Sequence, residues 1–99
     1  MNQDNELIGR ILQFMKEKGG LHIGWYVGIT NDPERRLYQE HQASADFCMW
    51  VNAESKARAE RIEKYFLSKI HTDGHEGGGE ADSTHVYAFK KSKSTDPRL

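Results

Sequence analysis

At 99 residues with 36% hydrophobic side chains, the chain holds enough apolar material for one small core and none for a second domain. Its net charge of -1 excludes a protein that holds nucleic acid chiefly by bulk positive charge. The single cysteine, Cys48, excludes an internal disulfide framework and cysteine-based zinc ligation, and no apolar run approaches the roughly 20 residues of a membrane span. Because Met1 to Glu6 lacks the basic-then-apolar pattern of a signal peptide, a soluble cytoplasmic protein with no membrane contact is expected.

The elements alternate along the chain. Asp4 or Asn5 caps an expected helix over about 4–18, with Leu7, Ile8, Ile11, Leu12 and Met15 on one face and Gly19-Gly20 ending it. Leu21 to Ile29 reads as a strand. Asp32-Pro33 then starts a short helix to about His41, since the carboxylate accepts from free helical N–H groups and proline needs no donor there. Arg35 and Arg36 thus emerge in the first turn, beside the strand's end.

Phe47 to Val51 reads as a second strand, and Asn52 or Ser55 opens the longest helix, to about Ile70. On a wheel of about 100° per residue, Ala59, Ile62, Phe66 and Ile70 share a face, Glu63 borders it and Glu60 points away, so Glu63 is the acidic residue nearest the core. Thr72 to Ser83, with Gly74, Gly77, Gly78 and Gly79, reads as a flexible loop whose His71, Asp73 and His75 are expected to be solvated rather than zinc ligands. Thr84 to Lys91 alternates as a third strand, and the tail over about 92–99 is expected to fray. The fold class expected is α+β, a small, mainly antiparallel three-stranded sheet with about three helices in a single domain.

Charge is unevenly distributed. Acidic residues gather at Asp4, Glu6 and from Asp73 to Asp82, whereas Lys56, Arg58, Arg61, Lys64 and Lys69 fall in one helix and Lys90, Lys91 and Lys93 near the C-terminus. Spatial separation of these groups would give a basic face; interspersed, they form a solvated mixed-charge surface.

Tyr26-Val27-Gly28-Ile29-Thr30, followed by Asn31-Asp32-Pro33-Glu34-Arg35-Arg36-Leu37, resembles the second half of the signature of the GIY-YIG nuclease superfamily. Downstream, the strand Phe47 to Val51 and the helix containing Ala59-Glu60-Arg61-Ile62-Glu63 resemble that family's third strand and metal-ligand helix. The family's first strand, with Gly-Ile-Tyr about ten residues before Tyr26, has no match at Met15 to Gly20. Either that strand is degenerate, drawn from Arg10 to Lys16, or it has moved to the C-terminus as Val86-Tyr87-Ala88-Phe89. The tyrosine and the strand alternation of the late segment favour relocation, a circular permutation. Two further departures stand out. The family often has a histidine four residues after the arginine, where this chain has Glu40 with His41 one residue beyond, and no asparagine follows Asn52.

The resemblance implies an endonuclease that hydrolyses nucleic-acid phosphodiesters, DNA above all, with one Mg2+ or Mn2+. Glu63 would be the metal ligand, a hard oxygen donor to an ion that keeps most of its waters. Arg36 would set a permanent charge on the phosphate oxygens. Tyr26 and Tyr87 would orient or deprotonate the attacking water; a base role requires neighbouring charge to lower a phenol pKa of about 10. Lys90 or Lys91 would supply such charge, and Arg35, Lys56 and Lys90 are the expected nucleic-acid contacts. With no separate recognition domain, specificity would come from a homodimer, a partner protein or substrate shape. The alternative function is a binding module on the same fold that lacks turnover.

Overall fold

The computed structural model describes residues 2–19, 24–74, 82–92 and 95. Helix α1 (Asn2–Lys18) is followed by strand β1 (Trp25–Thr30), a helical turn of π type (Arg35–Glu40), a 3-10 turn (Ala45–Phe47) and strand β2 (Cys48–Asn52). Helix α2 (Lys56–Tyr65) then continues through a second π-type turn (Phe66–Ile70), and strand β3 (His85–Lys90) completes an α+β fold. Gly20 of the expected helix end and 21–23 of the expected first strand lie outside the described residues, as do 75–81 of the glycine loop, with His75, and 93–94 and 96–99 of the tail. Among the described residues no helix is long and apolar enough to cross a membrane.

One helix start differs from expectation and another selects between the two residues expected. Helix α1 already includes Asn2, so Asp4 lies inside its first turn, and its carboxylate instead pairs with Arg58 and Arg61 of α2 at 3.1 and 2.9 Å. Ser55 rather than Asn52 caps α2: its backbone is extended and its hydroxyl oxygen accepts from the Arg58 N–H at 3.1 Å. At the turn between them, Asp32 acts as expected, its carboxylate accepting from the Arg35 N–H at 3.2 Å.

The last strand in sequence is the middle strand in space. The sheet order is β1-β3-β2 with both pairings antiparallel, Gly28 opposite Tyr87 on one side and Trp50 opposite Tyr87 on the other. The outer edge of β1 is partly covered as well, because Thr72 to Gly74 runs parallel to it: Val27 N–H donates to the Asp73 carbonyl at 3.0 Å and Asp73 N–H to that of Trp25 at 2.8 Å. Gly74 is needed for that approach. Its φ is +149°, and a Cβ there would lie 2.4 Å from the Val27 carbonyl oxygen. Asp73, expected as a solvated loop residue, is therefore held against the sheet by backbone pairing.

Strand alternation sorts the side chains onto two faces. Trp25, Val27, Ile29, Val51, Val86 and Ala88 meet Leu7, Ile11 and Met15 of α1 and Ala59, Ile62 and Phe66 in one apolar core. Tyr26, Cys48, Tyr87 and Phe89 point the other way, where the Arg35–Glu40 turn covers them with Leu37. Trp25 packs inside with its ring edge-on to Phe14, while Trp50 is half-buried beside the tyrosine cluster.

Candidate functional site

Strands β1 and β3 bring two tyrosines together under the Arg35–Glu40 turn. Tyr26 comes from the edge strand β1, Tyr87 from the central strand, and their rings stack with centroids 6.2 Å apart and planes 14° from parallel. The Arg36 Nε–H donates to Tyr87 Oη at 3.3 Å, and the same arginine forms a short ion pair with Glu40. Glu63 on α2 is 1% exposed, and its charge acts on both phenols. Of the residues chosen from sequence, Tyr26, Arg36 and Tyr87 are thus joined by contacts, and Glu63 reaches both tyrosines through its charge.

Gly28 is what lets the tyrosine ring lie flat there. It stands opposite Tyr87 in the register, and a Cβ on it would come within 2.4 Å of Tyr87 Oη and 2.5 Å of the ring carbon bearing it. Glycine is therefore required for a side-chain reason rather than for a turn. Thr30, fully buried two residues on, accepts from the Asp32 N–H through Oγ1 at 3.1 Å, tying the strand's end to the helix start that carries the arginines.

His41 is the member of the cluster that sequence spacing did not assign. Its Nε2 lies 2.9 Å from Tyr87 Oη, its ring centroid is 4.8 Å from that of Tyr26, and it is fully buried. The reason is the width of the turn. Arg36 to His41 is closed by a bond from the His41 N–H to the Arg36 carbonyl at 2.9 Å, one residue wider than an α-turn, so the histidine one position too late for α spacing still faces the tyrosines. The one-residue displacement of the histidine past the arginine was the visible signal.

A phenol oxygen has one hydrogen and two lone pairs, and three partners surround Tyr87 Oη. Arg36 can only donate to it. Of the other two, His41 and the hydrogen-bonded hydroxyl of Tyr26, one donates and one accepts, and the His41 tautomer decides which.

Burial, opposed by Arg36 and reinforced by the charges of Asp73 and Glu63, pushes the Tyr26 pKa up. For Tyr87 burial again dominates; the Arg36 hydrogen bond counters it, and Tyr26 and Glu63 add to it. The lowering that a base role for either tyrosine requires is thus not supplied by Arg36: both hydroxyls stay protonated at neutral pH because desolvation exceeds its pull. Burial also acts against the charge of Arg36, but hydrogen bonds to Tyr87 and Glu40 outweigh it and hold the guanidinium above its ordinary range.

The basic residues sort differently from expectation. Arg35 lies at the rim, 3.9 Å from Asp32 and 3.6 Å from Glu40. Lys56 begins α2 on the same stripe as Glu63, two turns or about 10 Å along the axis. Lys90 turns to the helical side of the sheet, where its Nζ donates to the Lys18 carbonyl at 3.4 Å and sits 5.5 Å from the centre of the Phe47 ring. Lys91 pairs at 3.1 Å with Asp73, whose charge reaches Tyr26.

Among the described residues no three metal-ligating side chains cluster. Glu63 offers an ion one carboxylate, and that carboxylate is buried. Comparison with family models, with curated proteins and with solved structures returned no match for this chain.

Proposed function

We propose that this chain is a compact metal-dependent endonuclease of the GIY-YIG type, circularly permuted so that β3 supplies the first half of the signature, and that it hydrolyses phosphodiester bonds in nucleic acid, DNA in the first instance. The observation that carries this reading is the convergence of Tyr26, Arg36, His41 and Tyr87 on one hydroxyl-centred network, with the Glu63 charge acting on both tyrosines. The central position of β3, beside β1, supports the permutation.

Hydrolysis requires that a water lose a proton while negative charge grows on the phosphate. With both phenols held neutral, Tyr26 and Tyr87 orient the water and pass its proton to His41 along their hydroxyls, so no free tyrosinate has to form. Arg36 meets the growing charge on the phosphate oxygens, its own charge secured by Tyr87 and Glu40. Glu63 would hold the divalent ion, which supplies charge neutralisation at the leaving oxygen.

A metal-dependent nicking assay on plasmid and branched DNA tests the reading. Glu63→Ala and Arg36→Ala should each lower the rate by at least about 100-fold with the fold intact; equal rates in all three proteins would refute it. The near-complete burial of Tyr26, His41, Glu63 and Tyr87 favours a second reading, a nucleic-acid- or protein-binding module without turnover. That reading requires binding without cleavage at any metal concentration.

A further inference from the structure

The most exposed part of the cluster is an arginine pair already holding an anion. Tyr26, His41, Glu63 and Tyr87 are all 3% exposed or less, whereas the side chains of Arg36 and Glu40 are 25% and 30% exposed, so the approach from solvent passes over these two. The two oxygens of the Glu40 carboxylate are divided between two guanidiniums: Oε1 takes Arg36 Nη1 in the short ion pair, and Oε2 lies 3.6 Å from Arg35 Nη1. Two adjacent oxygens shared by two planar cations also describe how a phosphodiester's non-bridging oxygens are gripped.

We infer that Arg35 and Arg36 form a two-pronged phosphodiester clamp and that Glu40 is its resident counter-anion, which a substrate phosphate must displace in order to bind. The inference rests on the phosphodiester reading of the site for the identity of the anion. Arg36 stays anchored through Nε to Tyr87 during the exchange, so only its outer nitrogen changes partner and the guanidinium keeps its aim. Arg35, which also borders Asp32 at 3.9 Å, swings by one side-chain rotation. Glu40 therefore keeps the arginines correctly placed in the absence of substrate, and it lowers their affinity for any anion by competing for the same donors.

The test measures binding of inorganic phosphate and of a short single-stranded DNA oligonucleotide to the full chain, followed by the 15N resonance of Arg36 Nε. Glu40→Gln keeps the shape and removes the charge, Glu40→Ala removes both, and Glu60→Gln, exposed on α2, controls for net charge. Both Glu40 variants should bind each anion about tenfold more tightly than the wild type, with Glu60→Gln unchanged. The salt dependence of oligonucleotide binding should steepen by about one unit of slope, because one more arginine charge is available to phosphate. Unchanged or weaker anion binding in both Glu40 variants, with amide spectra of a folded protein, would overturn the clamp. Tighter binding together with no cleavage by any variant would leave the clamp standing and remove the endonuclease reading. Cleavage by the wild type with anion affinity insensitive to Glu40 would do the reverse.

Discussion

The two faces of one sheet carry opposite chemistry although the same three strands build both. Toward α1 and α2 the alternate residues Trp25, Val27, Ile29, Val51, Val86 and Ala88 meet apolar side chains. Toward the Arg35–Glu40 turn, the intervening positions bring Tyr26 and Tyr87 against His41 and Arg36. The difference teaches how a small domain keeps a buried polar network. The apolar face supplies most of the transfer free energy, and the polar face is tolerable because Tyr87 Oη is hydrogen-bonded to Arg36 and lies beside His41 Nε2.

That division should separate stability from activity. Ile11→Ala empties a fully buried site on the helical face, remote from the tyrosines, and should cost about 2–5 kcal/mol in urea denaturation. At low temperature, where the variant is folded, its nicking rate should match the wild type. A selective loss of rate there would break the comparison, because it would couple the apolar face directly to the chemistry.

Gly28→Ala is the reverse experiment. The added methyl would meet Tyr87 Oη at 2.4 Å, and that ring has nowhere to retreat without losing the bonds to Arg36 and His41 or its stacking on Tyr26. The nicking rate should fall about 100-fold from sub-ångström to ångström displacement of the reacting groups. The stability cost should stay within about 1–3 kcal/mol, typical of overpacking. An unimpaired rate would mean that the position of Tyr87 is irrelevant to catalysis.

Much of this was legible from sequence for definite reasons. Alternation at Thr84 to Lys91 identified β3, and the helical wheel separated Glu63, which is buried, from Glu60, which is exposed. The parts that were not legible depend on backbone details that residue spacing does not encode. His41 reaches the tyrosines because a turn is wider by one residue. Which of the two lysines pairs with Asp73 was left open by the sequence, and the structure pairs Lys91 with it and Lys90 with the Lys18 carbonyl. The role of Asp73 follows from an edge pairing made possible by Gly74, a contact between distant segments that local pattern cannot announce. The phenol pKa directions depend on burial, which outweighs the neighbouring cation.

The smallest expected effect concerns those phenols and is read as stability against pH. Both Tyr26 and Tyr87 have pKa values raised by folding, so the native state holds their protons more tightly than the unfolded chain does. Their contribution is fully present below the unfolded-state value of about 10 and is lost as pH rises through the folded-state values. Urea denaturation should therefore be flat with respect to these groups at pH 8 to 9. Above about pH 10 it should decline, by at most about 1.4 kcal/mol per pH unit for each phenol that only the unfolded chain has ionised. Tyr26→Phe should remove part of the slope and leave the apolar face untouched. A slope identical to that of the wild type would mean that Tyr26 is not desolvated in the fold, and the contrast between a dry tyrosine network and a solvated one would have to be redrawn on Tyr87 alone.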